Sequence, residues 1–183
     1  MQVADLAAGG GYTTELLARV VGKSGRVYGQ NAKFVLDRFG QGPWTERLAK
    51  PVMQGVVRVD ADMDAPLPAS VGKLDAVLMV LFYHDTVWLK TNRAMMNRAI
   101  YAALAPGGVY GIVDHSARPG DGTKQAETLH RIEESVVIAE VLAAGFVLEE
   151  QGTFLQNPAD ARDWNASPAK AGEKRGTSDR FVL

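Results

Sequence analysis

Three consecutive glycines, Gly9, Gly10 and Gly11, stand a few residues after an acid, Asp5, and just before a run with helical spacing that opens at Thr13. Glycine permits left-handed backbone and puts no Cβ in the way, so such a hinge can bring main-chain N–H groups against a ligand. The first turn of the following helix offers further free N–H groups. The chemistry this suggests is the holding of a polar cofactor, although a glycine triplet alone reads equally well as a structural turn. A second candidate group is His84-Asp85 and a third is Asp114-His115. An imidazole can move a proton near neutral pH, and a neighbouring carboxylate can orient it or act alone. The structural readings are a helix cap for Asp85 and a packed ring for His84. Asp85, Asp114 and His115 also make a conceivable set for a divalent ion, but no tight spacing supports it and no metal is assigned. His130, beside Arg131, Glu133 and Glu134, reads as part of a solvated helix face.

These residues need elements to position them. Residues 3–6 read as a strand and 13–21 as a helix with Leu16, Leu17, Val20 and Val21 on one face. Residues 26–29 read as a second strand. Residues 33–39 look helical, Gln41-Gly42-Pro43 breaks that helix, and 45–49 form another short helical piece. Residues 55–59 are a third strand running into the acidic stretch Asp60-Ala61-Asp62-Met63-Asp64. The apolar run at 74–81 suits a strand covered on both faces. A helix over 91–104 stops at Ala105-Pro106-Gly107-Gly108, and 109–113 are a fifth strand. A long helix is expected over 125–144, a sixth strand over 146–150 and a last short strand over 180–183. Residues 157–179, rich in Pro, Ala, Gly and charge, read as a mobile excursion in which the ring of Trp164 docks as a lid.

Strand–helix alternation along the chain predicts an open, mostly parallel sheet with helices on both faces. Ligands of such folds bind beyond the carboxyl ends of the strands, near the switch point. The 183 residues suit one domain, 1–183, and the formal net charge of -1 argues against binding nucleic acid or a membrane surface by bulk charge. The chain has no cysteine, which excludes disulfides, thiolate nucleophiles and Cys-ligated metal, and fits a reducing, cytoplasmic setting. No apolar run approaches the roughly 18 residues of a membrane span, and no signal peptide is visible. The first strand begins almost at Met1, as in a chain trimmed from a longer product.

Several stretches in order resemble the class I S-adenosylmethionine (SAM)-dependent methyltransferases. Asp5-Leu6-Ala7-Ala8-Gly9-Gly10-Gly11 lines up with that family's D-x-G-x-G-x-G hinge, with Ala7 at the first glycine. Asp62-Met63 follows the third strand, LDAVLMVLFYHD spans the fourth, Leu104-Ala-Pro-Gly-Gly108 precedes the fifth, and Ala144-Gly145-Phe146 opens the sixth. More narrowly the chain is similar to a group of bacterial predicted methyltransferases of unassigned substrate that share the AGGGY-T hinge, Tyr83-His84-Asp85, LHRIEE and a closing DRFVL.

The resemblance implies a Rossmann-like seven-stranded sheet, mostly parallel with the last strand antiparallel. It implies methyl transfer from SAM to a small-molecule acceptor, leaving S-adenosylhomocysteine. The cofactor would be lined by Asp5, Ala7, Ala8, Gly9, Gly10, Gly11, Thr13, Gln30, Asn31, Asp62, Met63, Val80 and Leu81. The hinge and Thr13 would hold the methionine end, Asn31 the ribose, and Asp62 and Met63 the adenine. Gln30-Asn31 occupy the place of the family's usual ribose-binding acid, and a neutral amide accepts a weaker bond than a carboxylate. His84, Asp85 and His115 are the candidates on the acceptor side. Methyl transfer needs a base only when the attacking atom must lose a proton. Two rivals stand beside this reading: a methyltransferase-like interaction module without catalysis, and an NAD-dependent oxidoreductase, for which no third hinge glycine or hydride-site pair is found. A homodimer covering an exposed sheet face is a further expectation.

Overall fold

The computed structural model describes residues 1–183 except the side chain of Phe39. Six strands among the described residues form one sheet in the order β3-β2-β1-β4-β5-β6. They are β1 (Gln2–Leu6), β2 (Arg26–Asn31), β3 (Val56–Asp60), β4 (Leu74–Val80), β5 (Leu104–His115) and β6 (Arg180–Val182). The order reverses between β1 and β4, which is the switch point where such folds place ligands. The chain divides into two compact units, Met1–Met79 with Arg98–Tyr110, and Val80–Asn97 with Gly111–Leu183.

In the first unit β1 pairs in parallel with β2 and β4, and β2 with β3. The central strands read as nearly continuous apolar runs because both faces are covered: Val3, Ala4 and Leu6 of β1 are all buried, as are Val77 and Met79 of β4. Helix α1 (Tyr12–Val21) packs Ala18, Leu17 and Val21 into a core with Val3, Val27, Leu36, Trp44 and Met53. The expected apolar face is split, since Leu16 and Val20 are 45% and 80% exposed. The expected break at Gln41-Gly42-Pro43 does not occur. The short helix α2 (Lys33–Val35) passes through a π-helical turn, Leu36–Gly40, straight into α3 (Gln41–Leu48). The wide turn lets the Gln41 N–H reach Leu36 O. Pro43 then falls in the first turn of α3, where a missing N–H is tolerated.

In the second unit β6 runs antiparallel to β5, pairing Val113, Asp114 and His115 with Val182, Phe181 and Arg180. Helices α4 (Asp85–Trp88) and α6 (Glu134–Leu142) belong to this unit, while α5 (Arg93–Ala103) begins in it and continues from Arg98 in the first. Three expectations fail in the later part of the chain. The helix expected over 125–144 forms only over Glu134–Leu142. Its first half is drawn off by other partners: Ile132 N–H donates to His115 O, and the Glu133 carboxylate accepts from the N–H groups of Gly120 and Gly122. The strand expected over 146–150 is not formed, so the sheet has six strands and not seven. Val147 is 86% exposed, and β-branched composition does not make a strand where no face is buried. Leu104–His115 is a single strand, so the expected stop at 105–108 lies inside it. Residues 157–179 are tied to the unit through Asp160, which accepts from Arg131, from Trp164 Nε1 and from the N–H groups of Arg162 and Asp179. Among the described residues no helix is long and apolar enough to cross a membrane.

Candidate functional site

The hinge after β1 is built from backbone that only a few residues tolerate. Ala7 has φ 51°, Gly9 φ 55° and Gly11 φ 78°. Ala7 therefore adopts the left-handed conformation that the glycine of the family motif would adopt more easily. The three glycines answer to different neighbours. A Cβ on Gly11 would overlap the Trp44 ring, and one on Gly10 would come within 2.9 Å of Pro43 Cβ. These two are small because α3 lies against them. A Cβ on Gly9 would meet nothing within 4 Å. Gly9 is thus the hinge glycine that borders open space at the switch point.

Buried amides hold the hinge in place. Gln30 Oε1 accepts from Ala7 N–H at 2.9 Å while its Nε2 donates to Ala61 O at 2.6 Å. Asn31 Oδ1 accepts from Gly9 N–H at 2.7 Å and its Nδ2 donates to Gly9 O at 3.1 Å. The two residues at the expected ribose position are therefore engaged with the hinge itself. Arg47 Nε donates to Gly10 O, and its guanidinium also meets Glu15, which binds Arg19 and Lys50 as well. Asp5 is buried, and its Oδ2 accepts from Thr14 Oγ1 at 2.6 Å. Burial raises its pKa from the ordinary 3.8 to about 7, and the Thr14 bond offsets only part of the rise. Thr13 is half-buried at the head of α1, Asp62 is exposed and Met63 is buried after β3. Val80 ends β4, and Leu81 follows with φ 55° and its N–H donating to Val113 O at 2.7 Å.

The second unit gathers the other candidates. All three histidines of the chain, His84, His115 and His130, lie together, with ring centroids 5.8 Å apart for His84 and His115 and 5.2 Å for His84 and His130. His84 is buried at the start of α4. Asp114, at the end of β5, accepts from its backbone N–H at 2.8 Å and from its Nδ1 at 2.6 Å. Burial alone would lower the His84 pKa, but Asp114 and Asp85 overcome it and hold the pKa up at about 10. Burial would raise Asp85; hydrogen bonds from His130, His84 and Trp88 Nε1 reverse that and hold it well below the usual carboxylate range. His115 goes the other way, down to about 4, because it is buried and has cationic neighbours. Its Nδ1 lies 2.8 Å from Ser178 Oγ.

The sequence reading missed His130. Its ring reaches His84 Nε2 at 3.2 Å and is not on a helix face, because α6 begins only at Glu134. The usable signal was compositional: a chain with three histidines, two of them already placed after adjacent strands. Asp114, which the sequence places after strand five, is the direct partner of His84.

No protein-family model matches the chain, and no curated protein matches it by sequence. Many solved structures are similar to it in fold. A SAM-dependent methyltransferase from Aquifex aeolicus superposes with a TM-score of 0.68 at 16% identity, covering 100% of this chain and 79% of its own. The glycopeptide N-methyltransferase MtfA gives 0.65 at 16% identity, over 99% of this chain and 81% of its own, and has also been solved with SAM. The [4+2]-cyclase SpnF gives 0.61 at 20% identity, over 82% of this chain and 52% of its own. At these identities the likeness is one of architecture: the chain has the Rossmann-like fold of class I SAM-dependent methyltransferases.

Proposed function

We propose that the chain binds SAM at the hinge after β1 and transfers its methyl group to a small-molecule acceptor. The observation that carries this reading is Gly9: a left-handed glycine at the switch point of a methyltransferase fold, with open space where a side chain would stand. The residues present fit the cofactor. Ala7 to Gly11 would let its methionine end approach the backbone and Thr13 would offer a hydroxyl, with Asp5 supporting the hinge through Thr14; the N–H groups of Ala7, Ala8, Gly9 and Gly11 are already bonded within the protein. Asn31 would take the ribose with the remaining lone pair of an oxygen that already accepts from Gly9, beside Gln30. Asp62 would accept from the adenine while Met63 packs on it. Bound SAM supplies an electrophilic methyl group; the protein's part is to orient it and exclude water. His84, Asp85 and His115 are the acceptor-side candidates, and His84 is oriented by Asp114. A cytoplasmic setting and a homodimer belong to the same reading.

One observation favours the rival reading of a non-catalytic module. Asn31 is neutral and already bonded at both ends of its amide, so the ribose grip is weaker than a carboxylate would give. Calorimetric titration with SAM, S-adenosylhomocysteine and NAD separates the readings. Binding of the first two without NAD is expected. Binding of none favours the module, and binding of NAD alone overturns the proposal.

A further inference from the structure

Three atoms of the second unit stand at a longer, more even spacing than the other hydrogen bonds their side chains make. His84 Nε2, His130 Nδ1 and Asp85 Oδ1 form a nearly equilateral triangle. Its edges are 3.2 Å between the two rings, 3.2 Å from His84 to Asp85 and 3.3 Å from His130 to Asp85. A charge-assisted N–H···O bond is about 2.7–2.9 Å long. The same side chains reach such lengths with other partners: 2.6 Å from His84 Nδ1 to Asp114, and 2.7 Å from Trp88 Nε1 to Asp85. Two ring nitrogens and a carboxylate oxygen held at longer, equal spacing are what ligands around one ion look like. Zn–N and Zn–O bonds of about 2.0–2.1 Å in a tetrahedron put neighbouring ligand atoms roughly 3.3–3.4 Å apart. An ion at that distance from all three atoms would sit roughly 0.8 Å out of their plane.

We propose that His84 Nε2, His130 Nδ1 and Asp85 Oδ1 bind one divalent transition-metal ion of the zinc class, leaving a fourth position for water or a substrate oxygen. The surroundings are those of a ligand set. Asp114 accepts the Nδ1–H of His84, which leaves Nε2 as the ligand nitrogen; this is the outer-shell carboxylate usual for metal-bound histidine. Trp88 holds the Asp85 carboxylate from the other side. His130 comes to the triangle from a backbone at φ 51°, which side chains rarely adopt. The site is reachable, since the side chains of Asp85 and His130 are 16% and 24% exposed. Two imidazoles and one carboxylate favour zinc, iron, cobalt or nickel over magnesium or calcium. His84 and Asp85 then act as ligands and not as a free base pair, against the sequence expectation of no metal. The inference does not depend on SAM binding, because none of its three ligands is among the residues proposed to hold the cofactor.

The test is calorimetric titration of the full chain, stripped with a chelator, with Zn²⁺, and a parallel titration with Co²⁺ followed by visible absorption. The expected result is one ion per chain with the intense absorption of four-coordinate Co²⁺. His130→Ala, whose side chain is partly exposed, should weaken binding by about 100-fold or more, and Asp114→Asn by about 10–100-fold. His130→Gln provides a second reading by the Co²⁺ spectrum should His130→Ala not fold by circular dichroism. An unloaded wild-type chain at saturating metal overturns the proposal. So does a His130 variant that folds and binds Zn²⁺ as tightly as wild type. SAM binding, read on the same samples, reports on the hinge alone.

Discussion

Asp5 makes a quantitative prediction about the hinge. Its carboxyl group is buried beneath the glycines with one side-chain bond, from Thr14, and its pKa rises from 3.8 to about 7. A raised acid binds its proton more tightly in the folded chain than in the unfolded one. The stability this gives is fully present below pH 3.8 and is lost as pH climbs through 7. The whole interval corresponds to roughly 4 kcal/mol, and the part between pH 4.5 and 8.5 to roughly 3 kcal/mol. Asp5→Asn removes the titration. Its amide oxygen still accepts from Thr14, but its amino group is buried without an assigned acceptor, which costs about 1–3 kcal/mol at every pH. The variant should therefore be less stable than wild type at pH 4.5 and equal or more stable at pH 8.5. Urea unfolding of both proteins at both pH values, with equal m-values, measures this directly. Taking the difference between the two proteins cancels the titration of every other group. Parallel stability curves, with no swing between the two pH values, would refute the argument that Asp5 is buried in a charge-intolerant place.

Gly9→Ala and Gly11→Ala should divide binding from stability. Gly9→Ala carries only left-handed strain, about 1–2 kcal/mol, while, if the proposed site holds SAM, a bulkier Gly9→Val should abolish its binding. Gly11→Ala adds overlap with Trp44 and should cost about 2–5 kcal/mol; equal losses in urea unfolding would contradict the different surroundings of the two glycines. Asp160→Ala strands the fully buried Arg131 guanidinium and should destabilise by about 3–5 kcal/mol in the same assay, against no measurable loss if 157–179 contributes nothing to stability. Tyr83→Phe removes the hydroxyl that accepts from buried Asn97 and donates to Glu140, at about 1–3 kcal/mol. A wild-type-like midpoint there would show that Arg93, which grips both oxygens of Glu140, suffices.

The parallel core was legible because its signal is strong at short range. An apolar run such as 76–81, which follows Asp75, has few alternatives to a strand covered on both faces. The late part of the chain was not, because its elements are decided by distant partners. Residues 125–133 have helical spacing, yet Ile132 pairs with His115 and Glu133 binds the loop at Gly120 and Gly122. Residues 146–150 have strand composition, but Val147 to Glu150 are exposed. Pro43 misled in the opposite direction: a π-helical turn just before it carries the chain into α3 without a break.

The candidate sites show the same division. The glycine triplet was visible as a hinge, but its three members serve different neighbours, and no spacing rule separates Gly9 from Gly10 and Gly11. Only the packing of Pro43 and Trp44 does so. The position after β2 was recognised as unusual for lacking an acid. The physical reason is visible in the hinge: an amide can accept from Gly9 N–H and donate to Gly9 O at once, which a carboxylate cannot. Under the proposed function, Asn31 would give up a charged ribose acceptor for two hydrogen bonds that fix Gly9. Preorganisation lowers the entropy lost on binding, so a neutral residue at this position is compatible with cofactor binding. On this argument Asn31→Asp would add a charge for the ribose and at the same time remove the donor that fixes Gly9.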